Sequence, residues 1–333
     1  MPNNWRTVLL ITLLALGLGK VFLFFTFHPD VDDEVFRESF NNHYGVYALS
    51  LPKQVDFSGE KVPLDDPEVY ERLDRELLVN TYWQSNSLLL IKRSYRYLPV
   101  IEKILIEEGV PSDFKYIAVV ESNLTHAVSP AGATGFWQLL KETAIQYGLE
   151  VNDNVDERYH IEKSTRAACK FLKEAKNKFG SWTMAAAAYN MGMGGLNKQV
   201  ERQKVGNYYD LLLNQETSRY LFRILAVKEI LNQPDRYGFH LRKRDLYQRF
   251  VTKKVEVNGS IEDLVKFAQE HEINYKILKY YNPWLRDNSL KNVENKVYFI
   301  DIPVRKTMMN EADGTFPESH ETDTIVSSEP VLE

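Results

Sequence analysis

The period of the apolar residues changes once along this chain, and that change constrains the fold more than any other feature. Up to about residue 231 apolar side chains recur every three or four positions; from Phe250 they alternate. A period near 3.6 lays one face of a helix on a core and a period of 2 lays one face of a strand, so the two parts cannot share one architecture. Helical spacing predicts helices over residues 68–80, 87–108, 142–147, 164–179, 182–190, 208–213 and 216–231. In the second of these Leu88, Ile91, Tyr95, Leu98, Ile101 and Leu105 share a face, and Pro99 is expected to kink or break it. The fourth carries Ala167, Ala168, Phe171, Leu172 and Ala175 on one side. Alternation over 250–257 and 296–302 predicts two strands, with short helices at 260–270 and 275–280 between them. The expected class is mainly α, with a helical domain over residues 100–245 and a small α+β module, ordered βααβ, over 250–303. Residues 28–99 read as a tether and helical entry region, and 304–333 hold too few apolar side chains to pack.

Within the helical part, Pro111, Ser112 and Asp113 form a helix start, a proline followed by side chains that accept from unpaired amides. Phe114, Ile117 and Ala118 then lie at i, i+3 and i+4, and the next position on that face, i+7, is Glu121. A carboxylate one turn past an apolar stripe, just before a Pro/Gly-rich loop, is expected to be partly desolvated. Desolvation raises a glutamate's pKa toward what a general acid needs near neutral pH. The same pattern also fits a glutamate that bends out to solvent at a helix end.

Glu121-Ser122 is followed by Ser129-Pro130-Ala131-Gly132-Ala133-Thr134-Gly135-Phe136-Trp137-Gln138, then by Ala187-Ala188-Tyr189-Asn190-Met191-Gly192-Met193-Gly194, then by Glu216-Thr217-Ser218-Arg219-Tyr220. These resemble, in order, the ES, GAxGLWQ, AYNxGxG and ETxxY motifs of the soluble-lytic-transglycosylase catalytic domain, a goose-lysozyme-like fold that cleaves peptidoglycan. The resemblance covers roughly residues 100–232. The membrane-bound D group of these enzymes resembles it in carrying Trp at position 137, where many relatives have Met. Phe136 replaces the usual Leu, and Leu139-Leu140-Lys141 stands where relatives read Phe-Met-Pro; both departures bear on fine substrate preference. The C-terminal module resembles a degenerate LysM carbohydrate-binding module. Val257-Asn258-Gly259-Ser260-Ile261 sits where that family has V-x-x-G-D-T-L, and Tyr281-Asn282-Pro283 matches its later N-P.

The resemblance implies a lytic transglycosylase that needs neither metal nor organic cofactor. Glu121 would protonate the bond between N-acetylmuramic acid and N-acetylglucosamine, then act as base while the muramic 6-hydroxyl closes a 1,6-anhydro ring. By motif position it implies that Ser122 orients Glu121, that Gly132 and Gly135 let the loop backbone approach the sugar, and that Gln138 bonds a sugar amide or hydroxyl. It implies too that Tyr189, Asn190 and Tyr220 face the cleft, where a tyrosine hydroxyl could polarise Glu121. Trp137 fits a core as well as a sugar face. Glu142, Asp153, Asp156 and Glu157 stand as second carboxylates of the kind a lysozyme-like hydrolase would use. A non-catalytic peptidoglycan-binding scaffold is a third reading. The acidic residues of 151–160 lack calcium-loop spacing and read as a solvated loop. His126 reads as a loop histidine.

A net charge of -5 gives no general attraction to nucleic acid. The single Cys169 excludes an internal disulfide and, on the apolar stripe of its helix, reads as a buried small side chain. Residues 7–27 are overwhelmingly apolar and long enough to span a bilayer. Arg6 before them and Asp30, Asp32, Asp33 and Glu34 after them favour a cytoplasmic N-terminus with the rest outside. A cleaved signal peptide is the rival, though no clear small-residue cleavage site follows. The expected setting is the bacterial cell envelope, on the periplasmic face of the inner membrane, with glycan strands and the membrane as partners.

Overall fold

The computed structural model describes residues 45–304, together with Val35 and Glu38. The apolar run at 7–27 and the tail from 305 lie outside the described residues. Among those described, no helix is long and apolar enough to cross a membrane.

The described chain opens with a tight hairpin of β1 (Asp56–Phe57) and β2 (Glu60–Lys61). Helix α1 (Pro67–Tyr82) starts on Asp66, whose carboxylate accepts from Glu68 N, with proline where no amide partner is needed. Helix α2 (Gln84–Glu107) continues through Pro99 without a break. Proline removes the bond to the Tyr95 carbonyl. Leu98, Ile101, Ile104 and Leu105 are all buried on either side of it, and that packing keeps the helix intact.

A 3-10 turn (Ser112–Phe114) leads into α3 (Lys115–Ser122), followed by α4 (Lys141–Gln146), α5 (Ile161–Phe179), α6 (Trp182–Met191), α7 (Met193–Gln203) and α8 (Gln215–Asn232). Apolar spacing does not mark α7. Gly194 and Gly195 lie in its first turn, where glycine costs little, and Leu196 buries against the core. The helix expected at 208–213 is only a 3-10 turn, Tyr208–Asp210.

Helix α8 packs on α1, α3 and α6, and α5 packs on α2 and α6. One core joins Leu73 and Leu77 of α1, Ile101 and Leu105 of α2, Phe114 and Ile117, Leu172 of α5, the alanines of α6, and Leu221 and Ile224 of α8. Phe57 of the hairpin belongs to it as well, edge-on to Phe114 at 5.1 Å between ring centroids. The hairpin, α1 and α2 are thus built into the helical body.

In the C-terminal module β3 (Thr252–Val257) and β4 (Tyr298–Pro303) pair antiparallel, Val255 opposite Ile300. Helices α9 (Leu264–Glu270) and α10 (Tyr275–Tyr281) start on Asp263 and Asn274, whose side chains cap the first amides. Leu264, Leu278, Leu285, Leu290 and Ile300 form the module's core, and Val155 and Tyr159 of the helical body complete it. The segment at 151–160 is therefore not the solvated loop expected. Val155 and Tyr159 are buried because the module covers them.

Candidate active site

The 3-10 turn and helix α3 together put three apolar side chains into the core before Glu121 is reached. Phe114, Ile117 and Ala118 are fully buried, so the face that continues to Glu121 is anchored one turn upstream. The helix then ends in a left-handed Asn123, and the chain turns into the glycine-containing loop. Glu121 is partly buried, and its Oε1 accepts a hydrogen bond from the Tyr220 hydroxyl. Burial pushes the carboxyl's pKa up; the Tyr220 bond and the Arg223 charge oppose that without cancelling it, and the Glu216 charge adds to it. Glu216, Tyr220 and Arg223 stand at i, i+4 and i+7, on one face of α8. Arg223 also donates to Val120 O at 3.3 Å. Of these three, motif position implies a site role for Tyr220 alone; Glu216 and Arg223 share its face by helical spacing.

Tyr220 is buried, and its phenol is held well above its ordinary pKa by burial first and by the Glu121 charge next, so it remains a hydrogen-bond donor. Tyr189 is held up in the same way, and its hydroxyl donates to Trp137 O at 2.7 Å. Arg219, in the same motif as Tyr220, bonds the buried Glu76 of α1 at 2.7 Å and fixes α8 in place.

The other motif residues hold the frame. Ser122 Oγ donates to Ala118 O at 2.9 Å, back into its own helix rather than to Glu121. Gln138 adopts a left-handed backbone, and its Nε2 donates to Ala127 O at 3.0 Å and Gly135 O at 2.9 Å, closing the loop on itself. Gly135 has φ +80, and a Cβ there would lie 2.2 Å from Arg158 O, so the glycine is demanded by protein backbone. Trp137 is fully buried, with Nε1 donating to Thr165 Oγ1 at 2.9 Å, which assigns it to the core and leaves no face for a sugar. Asn190 accepts from Thr217 Oγ1 at 2.8 Å and donates to Glu216 Oε1 at 3.3 Å, tying α6 to the start of α8. The structure thus gathers Glu121, Tyr220, Tyr189, Gln138 and Asn190 around the junction of α3, α6 and α8. His126 stacks on Phe136 at 4.9 Å.

The competing carboxylates lie elsewhere. Asp156 and Glu157 are buried, Asp156 in a two-pronged pair with Arg158 and Glu157 bonded to Lys163 and to Glu150 N. Asp153 and Glu142 are exposed. Among the described residues no group of His, Cys, Asp and Glu is arranged to hold a metal. A cavity of about 1050 Å³ lies between residues 45–50, the α1–α2 junction and residues 235–245. Glu121, Gln138 and Tyr189 do not line it.

Known proteins resemble this chain in both of its parts. The transglycosylase SLT domain family matches residues 99–211, and the soluble lytic transglycosylase C-terminal LysM-like domain family matches 253–306. Membrane-bound lytic murein transglycosylase D of Escherichia coli (strain K12) is 29% identical over 243 residues, 70% of this chain and 52% of that protein. The same protein from an O6:H1 strain of Escherichia coli matches equally. A putative tributyltin chloride resistance protein of Alteromonas sp. (strain M-1) is 29% identical over 114 residues, 34% of this chain and 55% of that one. The chain spans about half the length of these relatives. It carries, on its helical body, a transglycosylase SLT domain and, behind that, the LysM-like domain of soluble lytic transglycosylases.

Proposed function

We propose that this chain is a peptidoglycan lytic transglycosylase in which Glu121 alone serves as acid and base. The observation that carries the reading is a carboxyl raised in pKa by burial and touched by one neutral donor, Tyr220. A raised pKa keeps a fraction of Glu121 protonated near neutral pH, ready to give its proton to the glycosidic oxygen as the bond from muramic C1 breaks. The Tyr220 hydroxyl and the Arg223 charge then stabilise the carboxylate left behind. That carboxylate takes the proton of the muramic 6-hydroxyl as its oxygen bonds C1, so a 1,6-anhydro end forms and Glu121 regains its starting state. Gln138 spends its amide hydrogens on the loop and keeps Oε1 to accept from the sugar.

Glycan strands are the substrate in this reading, and the LysM-like domain adds affinity for them. The apolar run at 7–27 anchors the body at the periplasmic face of the inner membrane, in keeping with the membrane-bound name of the Escherichia coli relative. One observation favours a second reading, a hydrolase. Glu216 is close enough for its charge to raise Glu121, and it could orient a water. Mass spectrometry of products from purified murein separates the two: anhydro ends support the transglycosylase, reducing ends the hydrolase. Intact sacculi would sink both.

A further inference from the structure

Residues 150–160 run between the two halves of the molecule and touch both. On the helical side, Arg158 Nη1 donates to Gly132 O at 3.0 Å and to Leu139 O at 3.3 Å, bracketing the loop that carries Gly135 and Gln138. The Arg158 carbonyl fills the space beside Gly135, so backbone meets backbone there. Asp156 aims the guanidinium, with Nε–Oδ1 at 2.9 Å and Nη2–Oδ2 at 2.7 Å, and both side chains are nearly sealed from water. On the other side the same strip belongs to the LysM-like domain. Val155 lies in that domain's core and bridges Leu285, Asp156 N donates to Trp284 O at 2.9 Å, and Arg286 N donates to Asn154 O at 2.9 Å. The Arg286 guanidinium sits 4.2 Å from the centroid of Tyr159. Tyr159 lies 5.7 Å from the ring of His126, which stacks on Phe136 of the loop.

We propose that the LysM-like domain is a structural half of the active site. Docked on residues 154–159, it fixes Asp156 and Arg158, and through Arg158 it sets the geometry of the loop that presents Gln138 and receives Tyr189. Arg158 is a positioning residue in this scheme, touching loop carbonyls and not Glu121. The fork of an arginine can meet Asp156 and two carbonyls at once; the single ammonium of a lysine cannot. A catalytic loop displaced by about 1 Å loses up to roughly 100-fold in rate, so the coupling should appear in turnover rather than in binding. The inference rests on the lytic-transglycosylase reading for its activity readout, and on nothing but the fold for its exchange readout.

The test uses the full chain in two forms. One is Arg158→Lys. The other is the triple variant Arg286→Ala, Lys296→Ala, Lys254→Ala, which removes surface ties from the domain to Tyr159, Glu150 and Glu162 without entering either core. Amide exchange over residues 129–139 should quicken at least ~10-fold in both, and kcat on soluble glycan fragments should fall ~10-fold with KM within about threefold. Melting temperatures should stay close to wild type, which separates positioning from unfolding. Unchanged loop exchange in both variants overturns the proposal, as does faster exchange with kcat intact. Wild type and Glu121→Gln yielding product equally would instead overturn the functional reading, and the exchange result would still decide this one.

Discussion

Glu121 and Glu150 start from the same physical pressure and end on opposite sides of it. Burial is the largest influence on each, and it pushes each carboxyl up. At Glu150 hydrogen bonds from Lys296, Tyr298 and Asn152 outweigh burial and hold the group below its ordinary range. At Glu121 the neutral Tyr220 hydroxyl and the Arg223 charge do not, and the group stays above it. The α3–α8 junction has left one carboxyl unpaired by any direct cation bond, whereas the seam at 150–163 pairs its acids: Asp156 with Arg158, Glu157 with Lys163, Glu162 with Lys254. Burial raises a carboxyl where no bonded cation offsets it, and that distinction separates Glu121 from Glu150.

Glu121→Gln tests this contrast most severely, because it keeps the shape and removes the proton. General acid–base catalysis contributes about 10²–10⁴-fold, so product release should fall by at least that much, measured on purified murein. Stability should move the other way. The unfolded glutamate loses its proton near about 4.3, the folded one only at higher pH, so between those values the folded state binds more protons and stability falls as pH rises. The cost is absent in acid and full above the folded pKa. Glu121→Gln should therefore melt higher than wild type near neutrality, with the gain vanishing below about pH 4. A variant that melts lower at neutral pH would mean that the carboxylate is not strained there.

Tyr220→Phe is the next largest. Hydrogen bonds to charged groups contribute about 1.5–3 kcal/mol, so losing this one should lower kcat by roughly 10–100-fold. The Tyr220 bond holds the Glu121 pKa down against burial, so its loss should shift the high-pH limb of the rate profile upward. A limb that stays put would assign the polarising role to Arg223.

The two regions were not equally legible in the sequence. Local spacing places Glu121, i+7 on the face of Phe114, Ile117 and Ala118, and such spacing survives folding because the 3-10 turn ending at Phe114 runs directly into the helix that carries the other three. Tyr220 came from motif order. Trp137 could not be assigned, since a tryptophan suits a core and a sugar equally until its Nε1 is seen bonded to Thr165. The seam was missed because its partners are distant along the chain, Asn154 with Arg286 and Val155 with Leu285. Without those pairs, Asp156 and Glu157 look like surface charge. Helix α7 was missed for a local reason, glycines read as a break where they only open a turn.

At the seam a smaller effect is expected. Lys296→Ala should release Glu150 toward its ordinary pKa, and because the lysine is 44% exposed the loss should be about 0–1 kcal/mol. A depressed carboxyl contributes stability above its unfolded pKa and loses it as pH falls through the folded value. The gap in melting temperature between wild type and variant should therefore be present near neutrality and close in acid, while the high-pH limb of the rate profile stays where it was. A shifted limb would show that the seam's charges reach Glu121 electrostatically, and the contrast between the regions would blur.

Asp153→Asn should do least of all. Asp153 shares the strip with Asp156 and Glu157 but is exposed, whereas Glu121 is partly buried. Surface substitutions of this kind usually stay within about 0.5 kcal/mol of wild type. Turnover on glycan fragments and the whole pH–rate profile should overlay wild type. Asp156→Asn is not an equivalent control, because it would weaken the carboxylate that aims Arg158. If Asp153→Asn abolished activity in a folded protein, a second carboxylate would be required for cleavage, and the single-glutamate mechanism would fall with it.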